Sequence, residues 1–191
     1  MILPNRKTMR LPDYDYNENG AYFITICTKN REPLLSRVYD GNTVDVRDVG
    51  DAIPYGTNVK INDNNVGTDV LGCPSAKIIL HKHGIVVKKY LEQMKDFYNN
   101  VFIDKYVIMP DHIHFILRIE GFENDNSNKY STVSNFVSTF KRFCNKEYGE
   151  NVFQRSFFDH VIRNEQDYIE TWNYIDNNPL NWLLKYSPNL N

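Results

Sequence analysis

No stretch of this 191-residue chain comes near the about 20 apolar residues needed to cross a bilayer. Its N-terminus, MILPNRKTMRLP, carries basic residues but lacks the apolar segment of a secretion signal. Cysteine is scarce. Cys27, Cys73 and Cys144 are odd in number, widely spaced and free of any CxxC pair, which excludes a disulfide framework and a zinc ribbon. A cytoplasmic protein with reduced thiols and no membrane association is expected. An overall basic charge is missing too, and a net charge of −2 weighs against nucleic acid as a partner.

The distribution of charge points the other way. Six aspartates against one arginine and one lysine lie between Asp40 and Asp69, so the remainder carries a small positive excess. Its basic residues cluster at Arg6, Lys7 and Arg10, at Lys82, Lys88 and Lys89, at Lys141, Arg142 and Lys146, and at Arg155 and Arg163. Apolar residues make up 41% of the chain and aromatics 14%, ample for the core of one domain with an insertion.

The stretch AYFITICT, 21–28, is β-branched and aromatic and reads as a strand. From about 39 to 75 the composition shifts to Gly, Asn, Asp and Val, which marks an acidic insertion or long loop. Residues 76–100 carry Ile79, Val86, Tyr90, Met94 and Phe97 near helical spacing and are expected to be a helix. VFIDKYVIMP and HIHFILRIE follow as two strands turning at Pro110-Asp111. Ser131–Tyr148 shows a helical stripe of Val133, Phe136, Val137, Phe140 and Phe143, stopped by Gly149. SFFDHVIR, 156–163, alternates as a strand. Residues 164–178 open with an Asn cap and an acidic turn, and Pro179 is expected to end that helix. The order predicts an α+β, ferredoxin-like βαββαβ unit: an antiparallel sheet with helices on one face, plus a C-terminal helix.

Two His-x-His pairs stand in this chain. His81 and His83 fall in the expected helix, where residues two apart diverge and cannot easily share an ion. His112 and His114 fall on a strand, where they share a face with Ile116 and Arg118, while Ile113, Phe115, Leu117 and Ile119 fill the face under the helices. That pair suits one divalent ion if a third ligand arrives, against the alternative of two surface histidines. Tyr174 and Asn178, four apart, project from one side of the last helix. They offer a nucleophile and an amide oxygen, although a tyrosine taken without context is more often a half-buried packing residue and Asn178 precedes a proline.

Four blocks decide between these alternatives: LPDYDYNENGAYFITICTKNR (11–31), YVIMPDHIHFIL (106–117), STFKRFCNKEYG (138–149) and FQRSFFDHVIRNEQDYIETWNYIDNNPLNW (153–182). Together they resemble the single-tyrosine HUH transposases, and among them the REP-associated tyrosine transposases. The resemblance implies His112, His114 and Asn178 as ligands of Mg²⁺ or Mn²⁺, with Tyr174 as the nucleophile. Tyr168 is the second candidate nucleophile, and His160 is structural or contacts phosphate. The activity implied is cleavage and rejoining of single-stranded DNA through a 5′-phosphotyrosine, on DNA with hairpin or palindromic elements, by a monomer or homodimer.

Arg6, Lys7, Arg10, Lys141, Arg142, Lys146, Arg155 and Arg163 are the expected DNA contacts. Phe157, Phe158 and Trp172 are candidates for stacking on bases or for core packing. Two rival readings keep part of this picture. A metal-dependent phosphodiester hydrolase using activated water retains the histidines without Tyr174. A non-catalytic binder of the same fold would present paired aromatics on the sheet, where this chain presents histidines.

Overall fold

The computed structural model describes residues 16–40, 53–54, 76–121 and 131–186. Its elements are β1 (Gly20–Cys27), β2 (Ser36–Asp40), β3 (Ile53–Pro54), β4 (Ala76–Leu80), α1 (Lys82–Gln93), β5 (Val101–Ile108), β6 (His112–Ile119), α2 (Thr132–Tyr148), β7 (Phe158–Ile162) and α3 (Glu165–Tyr186). The main sheet has the order β5-β6-β1-β7 and a smaller one the order β2-β4-β3. Every pairing between described strands is antiparallel. The fold is α+β.

Alternation along the central strands builds the core. Tyr22, Ile24 and Ile26 of β1, with Ile113, Phe115, Leu117 and Ile119 of β6, are buried on one face. Val87 and Leu91 of α1 join this core, as do Val133, Phe136, Val137 and Phe140 of α2. The ring of Phe136 meets that of Phe115, with centroids 6.1 Å apart. Helix α2 begins where the Ser131 side chain accepts a hydrogen bond from the Ser134 amide, and it ends at Gly149, whose φ of 77° a side chain would strain.

The opposite face carries Phe23, Thr25 and Cys27 beside Ile116, His114 and His112. Helix α3 covers it. The histidines, expected on a solvent-accessible face, are therefore buried, with relative exposures of 6% and 5%.

Three other expectations need correcting. Residues 76–80 form β4 instead of the first turns of a helix, because a short run such as AKIIL does not distinguish strand from helix by periodicity. Extended backbone at His81 then caps α1, whose buried line is Gly84, Val87 and Leu91, while Phe97 is 58% exposed. Pro179 does not end the last helix: α3 runs on to Tyr186 with Pro179 inside it. Burial of Pro179 and Leu183 in the packed face of α3 offsets the backbone hydrogen bond that proline removes. The acidic insertion lies mostly outside the described residues, and β2 and β4, pairing with one another, bound it.

Candidate active site

Register brings the candidate side chains of β1 and β6 together. His112 pairs with Cys27 and His114 with Thr25 across β1 and β6. The two imidazoles stand with centroids 4.4 Å apart and planes at 70°. His112 Nδ1 lies 2.5 Å from Asp111 Oδ1, and His114 Nδ1 lies 2.8 Å from Thr25 Oγ1. In the tautomer that donates from Nδ1, each ring keeps an Nε2 lone pair for an ion. Burial, then the neighbouring His112, then Arg31 push the His114 pKa down to about 2, so this ring stays neutral.

Asp111 is itself held. Its Oδ2 lies 3.2 Å from Arg31 Nε, and the same guanidinium donates to Cys27 Sγ at 2.8 Å. Arg31 reaches this position from a left-handed turn, with φ of 55° at Asn30 and 59° at Arg31. Burial is the main cause that raises the Cys27 thiol above its ordinary value.

Helix α3 supplies the opposite wall. Tyr174 stands edge-on to His114 and to Phe23, with centroids at 5.3 and 5.7 Å, and is 47% exposed. Asn178, one turn on, is buried. His112, His114, Tyr174 and Asn178 line one cleft of about 330 Å³, together with Arg31, Trp182 and Lys185. Among the described residues no group of three His, Cys, Asp or Glu is placed to hold a metal ion by itself. The candidate donor set that lines the cleft is two imidazoles and the Asn178 amide, a mixed nitrogen and oxygen set that suits Mn²⁺ better than Mg²⁺.

The other expected site residues lie elsewhere. Tyr168 donates its hydroxyl to Asp104 Oδ2 at 3.0 Å, beside Arg118 and outside the cleft. His160 Nε2 sits 3.0 Å from both carboxylate oxygens of Asp167. Lys141, expected at a phosphate, is buried instead. Its ammonium donates to the carbonyls of Gln154, Arg155 and Ser156 at 2.9, 3.3 and 3.0 Å. Arg142 and Lys146 are exposed on α2, the helix on the sheet face away from the histidines, and Arg155 and Arg163 are exposed on either side of β7. Arg6, Lys7 and Arg10 lie outside the described residues. Phe158 is exposed, Phe157 is half-buried under Lys141, and Trp172 is half-buried beside Lys105.

Sequence reasoning missed Asp111, Thr25 and Arg31. Asp111 was legible as the neighbour of His112, whereas Thr25 and Arg31 become visible only once the β1–β6 register is known.

No protein-family model matches the chain. It is 27% identical over 197 aligned positions to an uncharacterized protein of Haemophilus influenzae, covering 93% of this chain and 90% of that one. It is 29% identical over 87 positions to the REP-associated tyrosine transposase of Escherichia coli, covering 44% of this chain and 49% of that protein. Its fold resembles the solved structure of a REP-associated tyrosine transposase bound to a REP hairpin, with a TM-score of 0.52 and 18% identity over 90% of this chain and 73% of the other. In sequence and in fold, the chain is similar to the REP-associated tyrosine transposases.

Proposed function

We propose that this chain cuts and rejoins single-stranded DNA, with Tyr174 as the nucleophile and with His112, His114 and Asn178 holding a divalent ion, Mg²⁺ or Mn²⁺. The observation that carries the reading is convergence: a strand pair of histidines and a helix pair of Tyr174 and Asn178 line one cleft. The order β1-α1-β5-β6-α2-β7 and the sheet order β5-β6-β1-β7 support a ferredoxin-like unit followed by α3. The substrate is single-stranded DNA with a hairpin or palindromic element, by analogy with the hairpin-bound neighbour. Because Tyr174 stands beside the histidines of its own chain, a monomer holds the full set.

Tyr174 Oη attacks the scissile phosphorus while the bond to the 3′ oxygen breaks in line. The products are a 5′-phosphotyrosine and a 3′-hydroxyl, the phenol proton ending on the departing oxygen or in solvent. A second 3′-hydroxyl reverses the step and releases the tyrosine, so rejoining needs no nucleotide triphosphate. A divalent ion held by His112, His114 and Asn178 would stabilise the charge that builds on the phosphate oxygens. Asp111 and Thr25 fix the two imidazoles, as partners behind metal-binding histidines do. Arg31 and Lys185 place positive charge at the cleft, and Trp182 offers an aromatic face to an unpaired base.

The test uses Mn²⁺ and single strands from the DNA flanking the gene, labelled at the 3′ end so that the label stays with the tyrosine-linked piece. A denaturation-resistant protein–DNA adduct that disappears with chelator is expected. Cleavage without an adduct would overturn the nucleophile and leave a hydrolase using activated water; binding without cleavage would leave a binding module.

A further inference from the structure

The pairing of β5 with β6 is interrupted once. Ile103 pairs with Leu117 and Lys105 with Ile116, so Asp104 is an extra residue in β5. Side chains of a regular strand alternate between faces, and a bulge breaks the alternation. As a result Asp104 and Lys105, adjacent in sequence, both reach α3.

Their partners on α3 form a line. Asp104 Oδ2 accepts a hydrogen bond from the Tyr168 hydroxyl at 3.0 Å, while Arg118 Nε donates to both carboxylate oxygens at 3.0 and 2.8 Å. Lys105 Nζ lies 2.5 Å from Asp176 Oδ1 and 4.6 Å from the centre of the Trp172 ring. Tyr168, Trp172 and Asp176 are spaced by four residues and share one stripe of the helix. Tyr174 and Asn178 share another, and the buried line of Thr171 and Ile175 runs between the two. Any rotation of α3 about its axis therefore moves both stripes together.

We propose that Asp104 and Lys105 are positioning residues for Tyr174: the bulge aims both at one stripe of α3 and so sets where the stripe carrying Tyr174 and Asn178 meets His112 and His114. The assignment rests on the reading of Tyr174 as the nucleophile. Tyr174 is half exposed and meets Phe23 and His114 through ring edges, so the helix that carries it must be oriented from elsewhere. The clamp acts through geometry, and a misplacement of about 1 Å at a reacting group costs up to ~10²-fold in rate.

The test compares wild type, Lys105→Glu, which sets two carboxylates against each other, and the charge swap Lys105→Glu/Asp176→Lys. Single-turnover adduct formation, strand affinity and Mn²⁺ affinity are measured, along with the ¹⁹F resonance of 3-fluorotyrosine placed at position 174. Lys105→Glu is expected to slow adduct formation by about tenfold or more with both affinities retained and the resonance moved. The swap is expected to restore rate and resonance. A wild-type rate and resonance in Lys105→Glu would overturn the proposal, as would a folded swap variant that restores neither. If Lys105→Glu does not fold, Lys105→Met is measured in its place under the same criteria. If wild type forms no adduct, the nucleophile reading fails, and the resonance alone decides whether the clamp orients α3.

Discussion

The ring of Tyr174 stands edge-on to the imidazole of His114, with centroids 5.3 Å apart and planes at 64°. One residue comes from the last helix and the other from a central strand, and the cleft between them also holds His112 and Asn178. The proposed metal and nucleophile roles depend on how firmly each partner is held.

Asp111 is the most direct test of the histidine side. Its carboxylate joins His112 Nδ1 to the Arg31 guanidinium. Asp111→Ala is expected to weaken Mn²⁺ binding about 10- to 100-fold in titration calorimetry. Unchanged affinity would show that His112 needs no such support.

Lys141 separates a structural cation from a DNA contact. With its ammonium held by three carbonyls, Lys141→Met should cost about 1–3 kcal/mol of stability and leave the salt dependence of DNA binding unaltered. Arg155→Ala, at an exposed position, should instead reduce the slope of log affinity against log salt by about one.

The contrast between these residues shows how far the sequence could be read. Alternation in HIHFILRIE placed both histidines on one face, and the spacing of Tyr174 and Asn178 placed them on one side of a helix; both patterns are local. Burial of Lys141 is not local, because nothing near it in sequence reveals that the backbone of 154–156 folds over its ammonium. The strand at 76–80 was hidden for a related reason: its partner β2 lies across the insertion and its partner β3 within it. Pro179 misled because tertiary packing of Leu183 outweighed a local stop signal. Asp104 and Lys105 carried no signal at all, since a bulge exists only once two strands are paired.

Gly84 is required by a close approach. A Cβ there would lie 2.1 Å from the carbonyl oxygen of Leu35 and 3.1 Å from its carbon. Leu35 in turn ties His81 to Pro110, just before the histidine strand. Gly84→Ala is expected to destabilise the protein by about 1–3 kcal/mol, read as a lower urea midpoint.

Glu147 sets a pH dependence. Hydrogen bonds from Lys89 at 2.6 Å and Tyr90 at 2.7 Å hold its carboxyl below the ordinary value of 4.5. The unfolded chain thus binds this proton more tightly than the folded one. Its stabilising contribution is complete above pH 4.5 and is lost as the pH falls through the lower folded value. Glu147→Gln should show a shallower loss of stability than wild type below pH 4.5, with the two curves converging in stronger acid. Parallel curves would remove the tie between α1 and α2 as a contributor.

The two tyrosines of α3 offer the most direct test of the proposed chemistry. Tyr174 lines the cleft, whereas Tyr168 is bonded to Asp104 outside it. Adduct formation with a 3′-labelled single strand and Mn²⁺ should vanish in Tyr174→Phe and persist in Tyr168→Phe, with the covalent phosphate mapped to Tyr174 in wild type by mass spectrometry. An adduct that survives Tyr174→Phe and disappears in Tyr168→Phe, or strand cleavage undiminished in Tyr174→Phe, would contradict the tyrosine mechanism proposed for this cleft.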